Sequence, residues 1–542
     1  SVSYPICVPR TFRLRGIVEG FYGQPWSHAA RLDVVSFVAE RGMNAYVYAP
    51  KEDVKHRAQW REPYDDHEFT QFRALIDHAH EVGITFGFAI SPGLDIDYAS
   101  DKDRAALLEK LQPFAAAGVS WFSLLLDDIP TAPGLAARQA GIAAWLLDAL
   151  RREHDDIALA LCPTEYVGTR PSSYLATLGE VLPSDVDVMW TGPTVCSPTI
   201  TADAARAWCS AVGGRQPLIW DNYPVNDGTM ESSLHLGPYQ GREAALAETA
   251  VGILCNPMRH AYASKIALAT AADFMRDPYA YDAESSWRRA IADVGGERAA
   301  PLRVLAEACA DGPLCEPDEL ELARRVDALD DEIDGPGWVE AVRNAVEVLR
   351  AAKRVRDDFP ADAGDPLVEE VAPWAAAAAV EADAGLAALR LLQQLRPVVR
   401  IDAGTGRAAA VDAETAMHTA FLVMFAWSGA RLGTHVVFGP RFALYPAVVQ
   451  LRDGNPGVDI GAAVREDANA IDALCRLALG EYEAWRREPT SELRVYVDGE
   501  ARPLDAEGRF DACGETILVR DERSATRVGV GERLPFRDGR LS

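Results

Sequence analysis

The sequence predicts a (β/α)8 TIM-type barrel followed by an α-helical bundle domain and a small β-rich C-terminal appendage. Two observations indicate the barrel: short apolar runs alternate with amphipathic stretches over residues 14–255, and there are eight such runs. This alternation is typical of parallel strands joined by helices. A doubly wound open sheet is the alternative, but no glycine-rich phosphate-binding loop follows the first run.

The barrel is predicted to occupy residues 1–282. Its eight strands are predicted at Leu14–Glu19, Ala45–Ala49, Thr85–Ile90, Phe122–Leu126, Ile157–Cys162, Val186–Trp190, Leu218–Trp220 and Gly252–Cys255. Helices are predicted between them at Ala30–Arg41, Glu68–Val82, Asp103–Ala117, Gly134–His154 and Ala202–Val212, where apolar residues recur every three or four positions.

The remainder is predicted to form two further domains. Residues 283–488 are rich in Ala, Leu and Arg, and their apolar spacing predicts an antiparallel helical domain. Its helices are predicted at Asp318–Leu329, Trp338–Asp357, Leu367–Leu395, Ala413–Phe425 and Val458–Arg487. Residues 489–542 contain alternating segments, such as Leu493–Gly499 and Thr516–Val519, which predict the β-rich appendage.

Composition narrows the classes of function. The 542 residues are 49% hydrophobic and 25% charged, a normal globular mixture, and the net charge is −27. Such an acidic chain is a poor ligand for nucleic acid or an anionic membrane, and it weakly disfavours a polyanion such as hyaluronan. The nine cysteines include no C-x-x-C pair, and no apolar run is long enough to span a bilayer. With no signal peptide visible at Ser1–Arg10, we expect a reduced, cytoplasmic setting.

Two adjacent carboxylates, Asp127 and Asp128, follow the apolar run Leu124–Leu126. Like charges this close repel, so we expect one carboxyl to have a raised pKa, as a general acid working near neutral pH requires. Because neighbouring strand residues point to opposite faces, both side chains reach the barrel mouth only if the chain turns at Asp128. A helix cap, a metal-ligand pair or a solvated turn are the alternatives.

An adjacent pair does not straddle a glycosidic bond, whereas the carboxylates of the common glycosidase schemes do, from separate elements. It suits a scheme in which the substrate supplies the nucleophile. One acid would then hold an internal group of the substrate, and the other would handle the proton of the leaving group.

Nearly every other predicted strand also ends in a polar residue beside Gly or Pro, and barrel enzymes carry their chemistry at these ends. Each such residue has an alternative interpretation as a turn former, a cap or a core aromatic. We interpret Glu19 as a structural acid that pairs with an arginine. The ten histidines show no metal-binding spacing, although a divalent metal at the acid pair stays open. The candidates for sugar contacts are Lys51, Tyr166, Trp190, Trp220, Asn222, Asp227 and Asn256.

Ten motifs between Arg13 and Asp273 resemble, in order, the catalytic domain of the O-GlcNAcase group, glycoside hydrolase family 84, some members of which are labelled hyaluronidase. The motifs are 15–26, 48–57, 90–95, 126–129, 162–169, 190–193, 219–222, 226–227, 235–239 and 255–257. The helical region agrees with the helical domain that follows the barrel in this family.

The resemblance implies a retaining exo-β-N-acetylglucosaminidase in which the 2-acetamido group of the substrate attacks the anomeric carbon and gives an oxazoline. Asp127 then resembles the acid that orients the acetamido N–H, and Asp128 resembles the general acid and base. Tyr166 and Thr191 are the implied contacts of the acetamido group, and Trp220 is the implied wall of the sugar pocket. The implied contacts that bind the ring hydroxyls and position the sugar are Gly16, Lys51, Asn222, Asp227 and Asn256.

The resemblance implies no metal or organic cofactor, and its partner is a GlcNAc-containing glycoside or glycoprotein rather than nucleic acid or membrane. Three alternatives stay open: an endo-acting, hyaluronidase-like hexosaminidase, a non-catalytic GlcNAc-binding module and a metal-dependent barrel lyase. The aglycone, the preference between GlcNAc and GalNAc, and the oligomeric state stay undetermined by the sequence.

Overall fold

The computed structural model describes residues 11–314, 320–333, 335, 337–395, 398–401, 413–431, 433–439 and 469–487, together with short strands between 494 and 541. The chain divides into two compact units. One comprises residues 1–306, 310–316 and 364–370, and the other comprises the remaining residues. The domain limits given above stay predictions.

The first unit contains a closed barrel of eight parallel strands in chain order, which confirms the predicted fold class. Gly16 of the first strand pairs with Ala45 of the second and with Leu254 of the eighth, and this pairing closes the sheet. The strands are β1 Leu14–Glu19, β2 Ala45–Tyr48, β3 Thr85–Ile90, β4 Trp121–Leu125, β5 Ala158–Cys162, β6 Asp187–Trp190, β7 Pro217–Asp221 and β8 Gly252–Cys255.

Helices follow the strands of the barrel. They are α1 His28–Glu40, α2 Asp66–Glu81, α3 Asp101–Ala116, α4 Leu135–Arg151, α5 Ser173–Val181, α6 Ala202–Ala211, α7 Leu246–Thr249 and α8 Ala261–Arg276. Side-chain caps define several of their first turns: Asp65 and Glu68 form a reciprocal capping box at α2, and Ser27 and Ser100 cap α1 and α3. Three of these helices, α5, α7 and α8, were not among those predicted from the sequence.

Successive side chains along each strand point to opposite faces of the sheet, and this alternation produces two apolar layers. Inward-facing residues such as Val18, Leu125 and Leu254 fill the barrel, while outward-facing residues such as Ile17 and Phe86 pack under the helices. The barrel interior is therefore a packed core, and only the residues at the strand ends are left to form a site.

A helical region follows the barrel, as predicted. Its described helices are α9 Ala283–Gly295, α10 Ala299–Ala308, α11 Glu321–Asp331, α12 Trp338–Asp358, α13 Pro366–Leu395, α14 Ala413–Arg431 and α15 Ala470–Arg487. The beginning of the predicted helix Val458–Arg487 lies outside the described residues. No helix within the described ranges combines the length and apolar character needed to cross a membrane.

Short strands account for the described part of the C-terminal region. β9 Val398–Ile401 pairs in parallel with β10 Arg494–Val497, which also pairs with β11 Glu500–Arg502. Two further pairs are β12 Arg509–Ala512 with β13 Glu515–Leu518, and β14 Phe536–Arg537 with β15 Arg540–Leu541. The connections between them lie outside the described residues.

Candidate active site

The acid pair lies at the C-terminal mouth of the barrel, directly after β4. Pairing with β5 continues for one residue beyond the strand, because the Leu126 N–H donates to the Cys162 carbonyl at 2.9 Å. Asp128 then has a φ of +53°, in the left-handed region that aspartate tolerates better than most residues. The chain therefore turns at Asp128, as the sequence required for both Asp127 and Asp128 to reach the mouth.

Asp127 is buried, with 8% of its surface exposed, and its two carboxylate oxygens differ in their surroundings. Its Oδ2 forms an ion pair with Nζ of Lys51, which is also buried and follows β2. Its Oδ1 has no hydrogen-bond partner among the described residues. A buried carboxylate oxygen without a donor is unfavourable, so this atom is available to a ligand N–H.

Asp128 is exposed but carries two phenol hydrogen bonds. The Tyr166 hydroxyl donates to its Oδ1 at 2.9 Å, and the Tyr22 hydroxyl donates to its Oδ2 at 2.7 Å. Burial raises the pKa of Asp128, but these hydroxyls and the positive charges of Lys51 and Arg57 outweigh it, so the pKa lies below its ordinary value.

One carboxyl of the pair was expected to have a raised pKa, and Asp128 does not. The physical reason is that hydroxyl donors from two other strand ends favour the carboxylate form. Burial raises the pKa values of Tyr22 and Tyr166 in turn, so both phenols stay neutral donors.

Trp220, Asn222 and Asn256 form one hydrogen-bonded group on the opposite side of the mouth. Oδ1 of Asn222 accepts from Nε1 of Trp220 and from Nδ2 of Asn256, each at 3.0 Å. Oδ1 of Asn256 accepts from the Gly20 N–H at 3.2 Å. The Lys51 ammonium lies 5.7 Å from the ring centroid of Trp220, so this group adjoins the acid pair.

Asp227 joins the same mouth through the connection that follows β1. Its Oδ2 accepts from the backbone N–H of Tyr22 at 2.7 Å, while the side chain of Tyr22 reaches Asp128. Burial raises the pKa of Asp227. Tyr22 thus spans the site from one acid to the other.

Gly16 is not brought to the mouth, in contrast to the implied role. It lies inside β1, and a Cβ there would be 2.2 Å from the Ala45 carbonyl oxygen, so close strand packing accounts for the glycine. Gly20, four residues later and about 13 Å further along an extended strand, lies at the strand end instead.

Thr191 lies beside the site with its hydroxyl engaged in its own loop. Its backbone N–H donates to the Tyr166 carbonyl at 3.0 Å, and its hydroxyl donates to the Thr194 carbonyl at 3.2 Å. Thr191 therefore supports the backbone of Tyr166.

Two residues of the site, Gly20 and Tyr22, were not singled out from the sequence. They follow β1 directly, so the strand-end rule used for the other residues would have included them. Glu19, just before them, is fully buried and pairs with Arg31 at 2.8 Å, which agrees with its interpretation as a structural acid.

The donor set does not fit the metal alternative left open for the acid pair. Lys51 and the two phenols occupy three of the four carboxylate oxygens. Across the described part of the chain, no group of three or more His, Cys, Asp or Glu side chains is arranged to hold a metal ion.

Comparisons with known proteins agree with this geometry. The family model described as beta-N-acetylglucosaminidase matches residues 15–307. The proteins named Protein O-GlcNAcase from Rattus norvegicus and Mus musculus are each 37% identical over 278 residues, which cover 48% of this chain and only 30% of each relative.

Solved structures match over more of the chain. A mutant of the O-GlcNAc hydrolase of Thermobaculum terrenum has a TM-score of 0.70 at 29% identity, and the match covers 89% of this chain and 98% of that one. CpGH84B has the same TM-score and identity, with 79% of this chain and 75% of that one covered.

Proposed function

The chain belongs to the beta-N-acetylglucosaminidase family of glycoside hydrolases, and we propose that it is a retaining exo-β-N-acetylglucosaminidase that uses substrate-assisted catalysis. Its substrate is a terminal β-linked GlcNAc. Following the names of the relatives, we include GlcNAc on a polypeptide hydroxyl among the substrates. The catalytic domain in this proposal is the barrel, residues 1–282.

The observation that carries the proposal is the unequal surroundings of two adjacent carboxylates. Asp127 has one oxygen held by Lys51 and one buried oxygen to which no described residue donates. An acetamido N–H supplies that missing donor. The hydrogen bond orients the acetamido group and makes its carbonyl oxygen more nucleophilic, so the carbonyl oxygen attacks the anomeric carbon and an oxazoline forms.

Asp128 serves the leaving group in this scheme. It donates a proton to the glycosidic oxygen as the C1–O bond breaks, and it then removes a proton from the water that opens the oxazoline. Two successive inversions at the anomeric carbon give net retention. Since the hydroxyls of Tyr22 and Tyr166 favour the carboxylate form, substrate entry must exclude water or displace a hydroxyl for Asp128 to hold its proton.

The proposed exo preference is supported by the residues on the side of the mouth opposite the acid pair. Asn222, Asn256 and Asp227 offer amide and carboxylate groups that match ring hydroxyls, and Trp220 provides an aromatic face for the pyranose ring. We assign the ring to this side of the mouth, which leaves the side of Asp128 to the aglycone.

The test is a series of aryl β-GlcNAc substrates with N-acetyl, N-fluoroacetyl and N-trifluoroacetyl groups. Fluorine withdraws electrons from the carbonyl oxygen, so kcat/KM should fall steeply along the series. A kcat/KM that does not change along the series would refute the substrate-assisted mechanism. Hyaluronan viscosity that drops rapidly with the enzyme would instead support the endo-acting alternative.

A further inference from the structure

A buried ion pair adjoins the side of the mouth to which we assign the sugar ring. Asp221, the last residue of β7, accepts hydrogen bonds from Nε of Arg242 at 2.8 Å and from Nη2 at 2.5 Å, and both side chains are 1% exposed. The Tyr239 hydroxyl also donates to Asp221, at 2.5 Å. Burial lowers the pKa of Arg242, but the charge of Asp221 raises it by more, so the guanidinium stays positive. Well-packed apolar residues would avoid the cost of burying two charges, so stability alone does not account for the pair.

The third nitrogen of the Arg242 guanidinium reaches the neighbouring strand end. Its Nη1 donates to the Pro198 carbonyl at 2.9 Å, in the connection that follows β6, and to the Gln240 carbonyl at 3.1 Å. The main chains of the two connections also pair, because the Ile200 N–H donates to the Gly241 carbonyl at 2.9 Å. A planar guanidinium presents donors in several directions at once, so one side chain joins the connections that follow β6 and β7.

Residues 194–198, which we call the 194–198 loop, form a turn with internal hydrogen bonds. Oγ of the buried Ser197 donates to the Thr191 carbonyl at 3.1 Å and accepts from the Thr194 N–H, also at 3.1 Å. Since Thr191 directly follows β6, these bonds attach the loop to the strand end. A shift at the last residue of the loop is therefore passed on to Val195.

The Val195 carbonyl orients the side-chain amide of Asn222. It accepts from Nδ2 of Asn222 at 2.8 Å, while Oδ1 of Asn222 accepts from the indole N–H of Trp220 and from Asn256. An indole N–H only donates and a carbonyl only accepts, so these contacts settle which end of the amide is the oxygen. Both lone pairs of Oδ1 are engaged. Asn222 therefore meets a sugar hydroxyl with the second hydrogen of Nδ2, as a donor.

We propose that Arg242 is a positioning residue, which acts through the 194–198 loop to aim the Asn222 amide at a ring hydroxyl of the substrate. The proposal rests on the proposed cleavage of β-linked GlcNAc. The buried guanidinium contacts no substrate itself. It holds the Pro198 carbonyl, and with it the loop, in the place from which Val195 orients Asn222.

The first variant is Arg242→Lys. Lysine keeps the charge opposite Asp221, but one ammonium cannot bind both Asp221 oxygens and the Pro198 carbonyl at their present positions. Arg242→Lys should lower kcat/KM for an aryl β-GlcNAc by about three- to tenfold, the effect of misplacing one hydrogen bond, and mainly by raising KM.

A second variant disturbs the same contact from the other side. A Cβ at Gly241 would lie 2.2 Å from the Pro198 carbonyl oxygen, so Gly241→Ala displaces this carbonyl and leaves both partners of the ion pair in the chain. It should cause a loss of the same kind as Arg242→Lys. Should Arg242→Lys fail to fold, Gly241→Ala carries the test.

A double-mutant cycle with Asn222→Ala separates positioning from a general effect on the fold. If Arg242 acts through Asn222, then Arg242→Lys and Gly241→Ala should lower kcat/KM by less than about twofold once Asn222 is alanine. Arg215→Lys is the matched control. Arg215 also donates to a proline carbonyl, that of Pro183 at 2.8 Å, but on the N-terminal side of β6 and β7, so its replacement should leave kcat/KM unchanged.

Two outcomes overturn the proposal: the folded variants leave kcat/KM unchanged, or their losses persist in full in the Asn222→Ala enzyme. The unmodified enzyme separates this failure from failure of the proposed function. If it cleaves the aryl β-GlcNAc and either outcome occurs, only the role of Arg242 is wrong. If the unmodified enzyme does not cleave the aryl β-GlcNAc, the proposed function itself is wrong.

Discussion

Replacing Tyr22 with phenylalanine tests how the protonation state of Asp128 is controlled. The substitution removes the hydroxyl that donates to Asp128 Oδ2 at 2.7 Å. A hydrogen bond to a charged group contributes about 1.5–3 kcal/mol, and one pKa unit corresponds to about 1.4 kcal/mol. Because Asp128 is exposed to solvent, the effect is reduced, and we expect its pKa to rise by about one unit.

The sign of the effect follows from the role proposed for Asp128. A general acid acts only when protonated, so kcat/KM falls as the pH rises through the pKa of the free enzyme. A higher pKa extends the protonated form to higher pH. The alkaline limb of kcat/KM for Tyr22→Phe should therefore move upward by about one pH unit, measured with an aryl β-GlcNAc whose leaving group is a poor one.

Two controls isolate this effect. The dinitrophenolate leaving group of a dinitrophenyl glycoside departs without protonation. The alkaline limb of kcat/KM for this substrate should therefore not move in Tyr22→Phe. Tyr279→Phe removes another phenol that donates to a carboxylate, that of Glu248 at 2.8 Å, away from the mouth, and it should leave the profile unchanged. An alkaline limb that stays in place, or moves to lower pH, in Tyr22→Phe would refute the reasoning.

Three further predictions concern the same site. Asp128→Asn should lower kcat/KM by about 10²–10⁴-fold for a substrate with a poor leaving group and far less for one with an activated leaving group. Asp127→Asn should lower kcat/KM for both substrates. Equal losses for the two substrates in Asp128→Asn would contradict the role of Asp128 as the acid. Lys51→Met leaves Asp127 buried without its cation and should lower the free energy of unfolding by about 3 kcal/mol in urea denaturation, with Lys51→Arg losing less. Gly20→Ala places a Cβ about 2.2 Å from the Trp220 ring, so it should raise KM for every β-GlcNAc substrate, and an unchanged KM would remove Trp220 from the sugar wall.

The barrel could be predicted because its signal is local. Each strand is a short apolar run and most helices have one polar face, so the period of the sequence identifies them without knowledge of their neighbours. α8 has no such signal, because it is buried on nearly every side and lacks the polar face that marks an amphipathic helix.

Most of the candidate site was predicted for a related reason. In a parallel barrel every strand ends on the same rim, so residues far apart in sequence meet there whatever the details of packing. Lys51, Asp128 and Asn256 were selected by this rule, and the structure brings them together. Gly16 was selected by resemblance alone, and it lies inside the strand.

The sequence by itself determined the eight-stranded barrel and the set of polar residues on the rim, because these depend on local periodicity and on position along the chain. It gave the turn at Asp128 only as a condition, which the structure meets. Only the tertiary structure decided which partner each acid has. Lys51 binds one oxygen of Asp127, and no residue in the described part of the chain donates to the other, while Tyr22 and Tyr166 hold Asp128 as a carboxylate. Those contacts join separate strand ends, and a distance of about 3 Å across the mouth depends on sheet register and side-chain direction, which no local pattern encodes.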